Sequence, residues 1–406
     1  MREILELKPR TRIEFWTDRK YYKNVVKITT EIGMKWGGDD KRKVQYIRVR
    51  KVMAGKYHRY AGWKLRDYFE HLDVTLKDLI WGNIKGLCGF VGGLVQSFAR
   101  LVKKSTRPDV IFCKGGFVGL PVGMVARLLK IPYVVHESDA VPGLANRVLM
   151  KGASVVAYGM MPTQAEARPS GTLRAALAKS SYPAAPVSAW VGIPVSPEYK
   201  PASASKQKSL KKAYGFDPER PLLVVTGGSQ GAENINVAMR EILPELLNFT
   251  SVGLVVGRKH YENMVDLKKK YEEWDKAKLK SNFRMWEFCT TMDELMGAAD
   301  VVVSRAGATT IAELAALKKT VILVPFERLP GSHQVKNADK LEKEGAASVI
   351  YDARMLNQPG VLYDEIKRLM RSPKQREQLA GKLHEQARPD AAKKLAEILL
   401  DTASNK

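Results

Sequence analysis

Short β-branched runs alternate along the chain with segments of helical spacing, the pattern of a parallel α/β protein. In the first half, Arg12–Thr17, Val44–Val49, Asp109–Cys113, Tyr133–His136 and Ser154–Tyr158 predict strands. In the second half, Leu222–Thr226, Gly253–Val256, Asp300–Ser304 and Thr320–Val324 do the same. Ser196–Arg220, rich in Pro, Ser, Lys and Ala, predicts a join between two domains. Met161–Ser188, with four prolines, predicts a loop insertion or a short helix with flexible flanks, and Pro389–Leu400 has helical spacing. The expected division is a first domain over 1–196, a linker over 197–219, a second domain over 220–387 and a closing helix over 388–406. There is no solenoid-type repeat, although the two halves look like similar α/β units.

A chain of 406 residues is long enough for two such domains, and 45% hydrophobic with 27% charged residues describes a folded protein. Charge changes the picture more. The formal net charge is +24, and residues 1–200 carry +18 of it, from 34 basic and 16 acidic side chains. Such a field favours a polyanion: nucleic acid, an anionic membrane surface or a phosphorylated substrate. The longest apolar stretch, Leu79–Val102, is interrupted by Lys85 and Arg100. Its uncharged core, Gly86–Ala99, is shorter than the roughly 20 residues that span a bilayer. With Lys103 and Lys104 following it, the stretch suits attachment at a membrane interface; a buried domain helix is the plainer alternative. Its five glycines weaken a helix, and the pairs Gly82/Gly86 and Gly89/Gly93 have close-packing spacing. No basic-then-apolar signal peptide opens the chain. Cys88, Cys113 and Cys289, odd in number and far apart, suggest neither a disulfide framework nor a zinc site, and predict a reduced, cytosolic protein.

Three glycine-bearing turns carry the candidate chemistry. Leu222–Thr226 runs into Gly227-Gly228-Ser229-Gln230-Gly231 and then the helical stretch Glu233–Leu247. Glycines allow positive φ and close backbone approach, while a helix start offers free N–H donors and a positive dipole end. A diphosphate fits there, and so does a tight turn with no ligand. Lys114-Gly115-Gly116-Phe117 and Ser304-Arg305-Ala306-Gly307-Ala308 also follow strands. None matches the dinucleotide fingerprint or the P-loop, which argues against NAD enzymes and ATPases. Glu313, just inside the helical run after the third turn, can accept hydrogen bonds from a ribose diol or serve the helix dipole. His333, Gln334 and Asn337 open another helix, as readers of sugar hydroxyls or as cap and surface residues. Ligands of open α/β sheets bind beyond the carboxyl ends of the strands, where all these second-half segments converge.

The run Pro108–Leu149, PDVIFCKGGFVGLPVGMVARLLKIPYVVHESDAVPGLANRVL, together with GGSQGA, SRAGATTIAELAAL and HQVKNA in that order, resembles the MurG-type N-acetylglucosaminyltransferases of glycosyltransferase family 28. The likeness covers most of Arg12–Val349. It implies a GT-B fold, two facing Rossmann-like domains with a cleft and a C-terminal helix crossing back to the first. It implies UDP-GlcNAc as donor and lipid I, an undecaprenyl-pyrophosphoryl muramyl pentapeptide, as acceptor. Transfer would invert the anomeric centre to give lipid II for peptidoglycan, with no cofactor and no obligatory metal, at the cytoplasmic face of the plasma membrane. Carried over by position, Gly227, Gly228, Ser229 and Gln230 would lie near the donor diphosphate and Glu313 at the uridine ribose. Arg305, His333, Gln334 and Asn337 would complete the donor set. His136, Glu137 and Asp139 would line the catalytic cleft, with His136 a candidate base, and Gly115, Gly116 and Asn146 would face the acceptor.

The chain departs from that family pattern in three places. The family opens with a strand and a G-G-T-G-G-H loop, whereas Met1–Leu7 already reads as the helix after that loop and Arg12–Thr17 as the family's second strand. Loss of a central strand leaves buried backbone groups unpaired, so the expectation is a start lying upstream, with a degenerate version as the alternative. Gly192-Ile193-Pro194-Val195-Ser196 stands where the family has G-N-P-V-R, and His136-Glu137-Ser138-Asp139 where it has H-E-Q-N. Rival readings are an enzyme that glycosylates another lipid and an inactive membrane-associated binding protein. Nucleic-acid binding has charge in its favour but no motif.

Overall fold

The computed structural model describes residues 1–37, 47–55, 76–161, 186–228, 231–273, 282–327 and 331–404. It divides into two compact α/β units: Met1–Ser138 with Pro142–Val191 and Asp390–Lys406, and Gly192–Pro389 with Asp139–Val141.

In the first unit, β1 (Ile13–Thr17) pairs in parallel with β2 (Ile47–Lys51) as a sheet of two strands. A separate parallel sheet runs β3 (Ile111–Cys113), β4 (Tyr133–Glu137), β5 (Val155–Tyr158) and β6 (Val187–Trp190) in that order. β4 and β5 are buried along their whole length, as strands covered on both faces must be. One cover is the helix Ala391–Ser404, whose Leu395, Ile398 and Leu399 pack on Val134, Val155, Ala157 and Val187. β1, in its two-stranded sheet, leaves Glu14 and Phe15 exposed.

The helix Leu76–Leu101 resolves the two readings of the apolar stretch by having two faces. Its inner face is made of glycine: the backbone of Met53–Gly55 lies directly on Gly86, Gly89 and Gly93, and a Cβ on Gly89 would stand 3.0 Å from the Ala54 carbonyl. A Cβ on Gly55 or Gly93 would collide with the backbone of Gly86 or Met53. The outer face exposes Trp81, Ile84, Leu87, Val91, Val95 and Phe98, followed by Val102, a stripe at helical spacing in which Leu87 is 63% and Val95 64% exposed. No helix among the described residues is long and apolar enough to cross a membrane.

The second unit is a six-stranded parallel sheet: β7 (Leu222–Thr226), β8 (Ser251–Val255), β9 (Phe283–Trp286), β10 (Val301–Ser304), β11 (Thr320–Leu323) and β12 (Ser348–Val349), ordered β12-β11-β10-β7-β8-β9. This is the doubly wound order, with its switch point between β7 and β10.

Most expected strands lie within two residues of the observed ones; Val44–Gln45–Tyr46 fall outside the described residues. Three strands were not expected. β6 starts at the end of the proline-rich stretch, most of which (162–185) is also outside the described residues; β9 is an edge strand; β12 has two residues. The expected linker contains the helix Ala204–Ala213, which belongs to the second unit. Ser203 caps it by accepting from the Lys206 N–H, Gln207 donates to the Ala298 and Ala299 carbonyls, and buried Lys211 pairs with Asp300 at 2.7 Å. Polar side chains make those contacts, so composition reads as linker where the chain packs as helix. Gly55→Val should cost about 1–3 kcal/mol in urea unfolding through the backbone collision, whereas Val95→Ala on the outer face should change stability by less than about 0.5 kcal/mol. Equal effects would refute the two-faced description of this helix.

Candidate functional site

Parallel pairing decides where the second unit can bind. β10 lies between β7 and β11, and Ser304 is in register with Thr226 on one side and Leu323 on the other. The turns that follow these three strands therefore leave one edge of the sheet next to one another, around its switch point.

The first turn has the geometry its glycines suggest. Gly228 and Gly231 both have φ +77°. A Cβ on Gly231 would meet the Val256 carbonyl and His260, and one on Gly227 would strike Ala232, so both are needed for packing. Gly228 faces open space, and its N–H lies 3.2 Å from the Thr226 hydroxyl. Ser229 and Gln230 lie outside the described residues. The helix Glu233–Leu246 then starts at Ala232 with no side-chain cap. The helix Ala308–Ala316 starts at Gly307, and His333–Lys343 at Ser332, again with no side-chain cap. Three adjacent helix starts thus keep backbone N–H groups that no cap occupies, a setting suited to phosphate oxygens.

Two residues not singled out from sequence tie these turns together. Buried Asp352 accepts from Arg305 at 2.8 Å through one carboxylate oxygen and from Asn234 at 2.8 Å through the other. It thereby links the turn after β10 to the first turn of the helix after β7. Arg305 also donates to the Val324 carbonyl and stacks on Phe326. Its guanidinium, held in an ion pair with Asp352, anchors the turn where a donor contact was expected.

Glu313, one turn into the helix Ala308–Ala316, is half-buried. Burial pushes its carboxyl up to about 7, against the opposing pull of a hydrogen bond from the Tyr199 hydroxyl. Gln334 accepts from the Phe326 N–H at 3.0 Å, which fastens the segment after β11. Asn337 is fully buried: it donates to Asp139 at 3.0 Å and to the Ala306 carbonyl at 3.1 Å, and accepts from the Ala140 N–H at 2.8 Å. Both ends of the amide of Asn337, a residue expected among those that bind the donor, are engaged on protein in this structure. His333 Nδ1 stands 3.7 Å from the Asp139 carboxylate.

In the first unit, Gly115 (φ +81°) precedes the helix Gly116–Leu128, and a Cβ there would come 2.9 Å from the Asn146 amide nitrogen. Gly116 (φ +77°) faces open space. Glu137 is buried, and its carboxylate accepts from Asn146 at 2.7 Å and from the Gly143 N–H at 3.0 Å. His136 is 0% exposed, with its ring 6.2 Å from that of Phe112 and Nδ1 3.4 Å from the Ser138 hydroxyl. A general base must reach the proton it removes. Of the residues expected to line the catalytic cleft, His136 lies buried on β4 and Glu137 is engaged by Asn146 and the Gly143 N–H. His136 is an interior strand residue, and Asn146, held by Glu137, packs close to Gly115. Asp139, the third residue of that expected set, is engaged by Asn337.

Comparison with known proteins gives this geometry a context. The model of the glycosyltransferase family 28 N-terminal domain matches residues 30–158, and that of the C-terminal domain residues 222–395. A Moorella thermoacetica protein named UDP-N-acetylglucosamine--N-acetylmuramyl-(pentapeptide) pyrophosphoryl-undecaprenol N-acetylglucosamine transferase is 32% identical over 338 residues, covering 82% of this chain and 85% of its own. A Geobacillus thermodenitrificans protein of the same name is 31% identical, covering 74% and 73%. Among solved structures, MurG of Acinetobacter baumannii matches with a TM-score of 0.65 at 19% identity, covering 96% of this chain and 99% of its own. The UDP-GlcNAc 2-epimerase of Neisseria meningitidis, solved with UDP-GlcNAc bound, matches at 0.55 and 12%, covering 98% and 95%. These structural likenesses establish the two-domain α/β architecture of GT-B glycosyltransferases. With both domain models matched and a relative 32% identical over four fifths of the sequence, the chain belongs to glycosyltransferase family 28.

Proposed function

We propose that this chain transfers N-acetylglucosamine from UDP-GlcNAc to an undecaprenyl-pyrophosphoryl N-acetylmuramyl-pentapeptide, the reaction for which its relatives are named. The observation that carries the reading is the register that sets three uncapped helix starts side by side beyond β7, β10 and β11. The acceptor hydroxyl attacks the anomeric carbon from the face opposite the diphosphate. The new C–O bond forms as the bond to UDP breaks, the electron pair leaves on the diphosphate, and the hydroxyl proton goes to a base or to water. Backbone N–H groups at Gly227 and the start of the helix Glu233–Leu246, with Gly228, Ser229 and Gln230 beside them, take up that charge as it develops, which is where fixed donors accelerate a reaction most. Glu313 accepts from the ribose hydroxyls and His333 from the sugar side. On the first unit, Gly115 and Gly116 offer the acceptor pyrophosphate a second helix start.

The acceptor's lipid tail gives the outer face of the Leu76–Leu101 helix a use. Its apolar stripe adjoins a groove of about 680 Å³ lined by Trp16, Tyr22, Arg50, Lys51, Arg100 and Lys103. Apolar side chains beside cations suit docking on an anionic leaflet, to which each nearby cation contributes about 1 kcal/mol.

Titration calorimetry with UDP-GlcNAc should show binding, and Glu313→Ala should weaken it at least about tenfold, the scale of a lost charged hydrogen-bond pair. Absence of heat at millimolar donor with folded protein would overturn the assignment. Sedimentation with phosphatidylglycerol vesicles should show binding that weakens at high salt. Val95→Glu with Phe98→Glu should reduce it about tenfold or more without changing donor affinity. Vesicle binding unchanged by these substitutions would rule out the helix as the docking face.

A further inference from the structure

We infer that Asp352 is a positioning residue for the nucleotide donor, fixing the spacing of two helix starts so that both phosphates of a diphosphate are met at once. The inference rests on the donor reading above. Asp352 follows β12, whose pairing with β11 brings it to the edge where the turns after β7, β10 and β11 lie. Its two carboxylate oxygens go to different turns. One accepts from Arg305 Nη1 at 2.8 Å, just before the helix start at Gly307. The other accepts from Asn234 Nδ2 at 2.8 Å, in the first turn of the helix Glu233–Leu246. Arg305 Nη1 gives its second hydrogen to the Val324 carbonyl at 3.2 Å, and the guanidinium lies 5.2 Å from the centre of the Phe326 ring. The Phe326 N–H is held in turn by Gln334, in the first turn of the helix His333–Lys343. One buried carboxylate, which follows none of the three turns, thus joins them all.

A helix start meets a phosphate group with a few backbone N–H donors. Two starts hold a diphosphate better than one only when their separation already matches it; otherwise drawing them together costs part of the binding energy. Neither start carries a side-chain cap, and Gly228 and Gly307 face open space. The bridge Asn234–Asp352–Arg305 is the side-chain link that sets their separation beyond the end of the sheet. A monophosphate occupies one start and is indifferent to that separation. The sign of the effect is informative as well. Were Arg305 itself a phosphate ligand, Asp352 would compete with the phosphate for it, and removing the carboxylate charge would tighten diphosphate binding. A positioning role predicts the opposite.

The test is calorimetric affinity of the full chain for UDP and for UMP, which share base and ribose and differ by one phosphate. Wild type should bind UDP at least about tenfold more tightly than UMP. Asp352→Asn keeps the size of the side chain and removes its charge and one acceptor. It should weaken UDP about tenfold, the scale of one lost charged hydrogen bond, and UMP by less than about twofold. Asn234→Ala, at a half-buried position, removes one arm of the bridge and serves where Asp352→Asn fails to fold. It should weaken UDP about threefold and again leave UMP within about twofold. Equal loss for both nucleotides, or UDP affinity unchanged in the folded variants, reduces Asp352 to a structural residue; either result overturns the inference and leaves the donor reading standing. Tighter UDP binding by Asp352→Asn overturns it too, because it marks Arg305 as a phosphate ligand released from its partner. So does a wild type that binds UDP no better than UMP. Failure of wild type to bind either nucleotide overturns the donor reading and the inference together.

Discussion

The parallel hydrogen-bond register of β11, β10 and β7 is the constraint on which the candidate site depends. A parallel ladder fixes the direction of each strand and the level at which each ends. With Thr226, Ser304 and Leu323 in register, the chain must turn three times at one edge and start three helices there. The strands satisfy their backbone groups in the sheet and bury both faces, and the helix starts are left with N–H groups facing outward. Anion affinity at such an edge arises from how the sheet ends, before any side chain contributes.

Side chains then stiffen what the backbone lays out. Asp352 draws Arg305 and Asn234 onto one carboxylate, Asn337 fastens Ala306, and Gln334 fastens Phe326. Asp352 and Asn337 are buried polar groups that would be costly to leave unpaired. On the proposed function, a diphosphate would meet donors already held in place. The first unit uses the same device at smaller scale, where Glu137 holds Asn146 and the Gly143 N–H. Several polar residues near the turns thus hold backbone in place, a task distinct from meeting a ligand.

That distinction separates what was legible in the sequence from what was not. Runs such as LLVVT and DVVVS announce buried parallel strands, and a glycine after each announces the turn, so the sheet and the edge where its turns gather could be read directly. The work of individual side chains could not. Nothing in the local sequence says that Asn337 spends its amide on Asp139, Ala140 and Ala306, or that Arg305 pairs with an aspartate 47 residues further on. His136 reads as a base because histidine titrates near neutrality, and its burial in a strand covered on both faces could not be read from its neighbours in sequence. The helix Ala204–Ala213 was masked by its own polarity, and the glycines of Leu76–Leu101 looked helix-breaking until Met53–Gly55 supplied the backbone that packs against them.

The most direct test of the central claim is backbone amide hydrogen exchange of the full chain with and without saturating UDP. Protection should appear together in three separate peptides, spanning 227–232, 306–311 and 332–336, because one diphosphate nucleotide occupies all three helix starts. Protection confined to one of these peptides, or to none of them, would contradict the account.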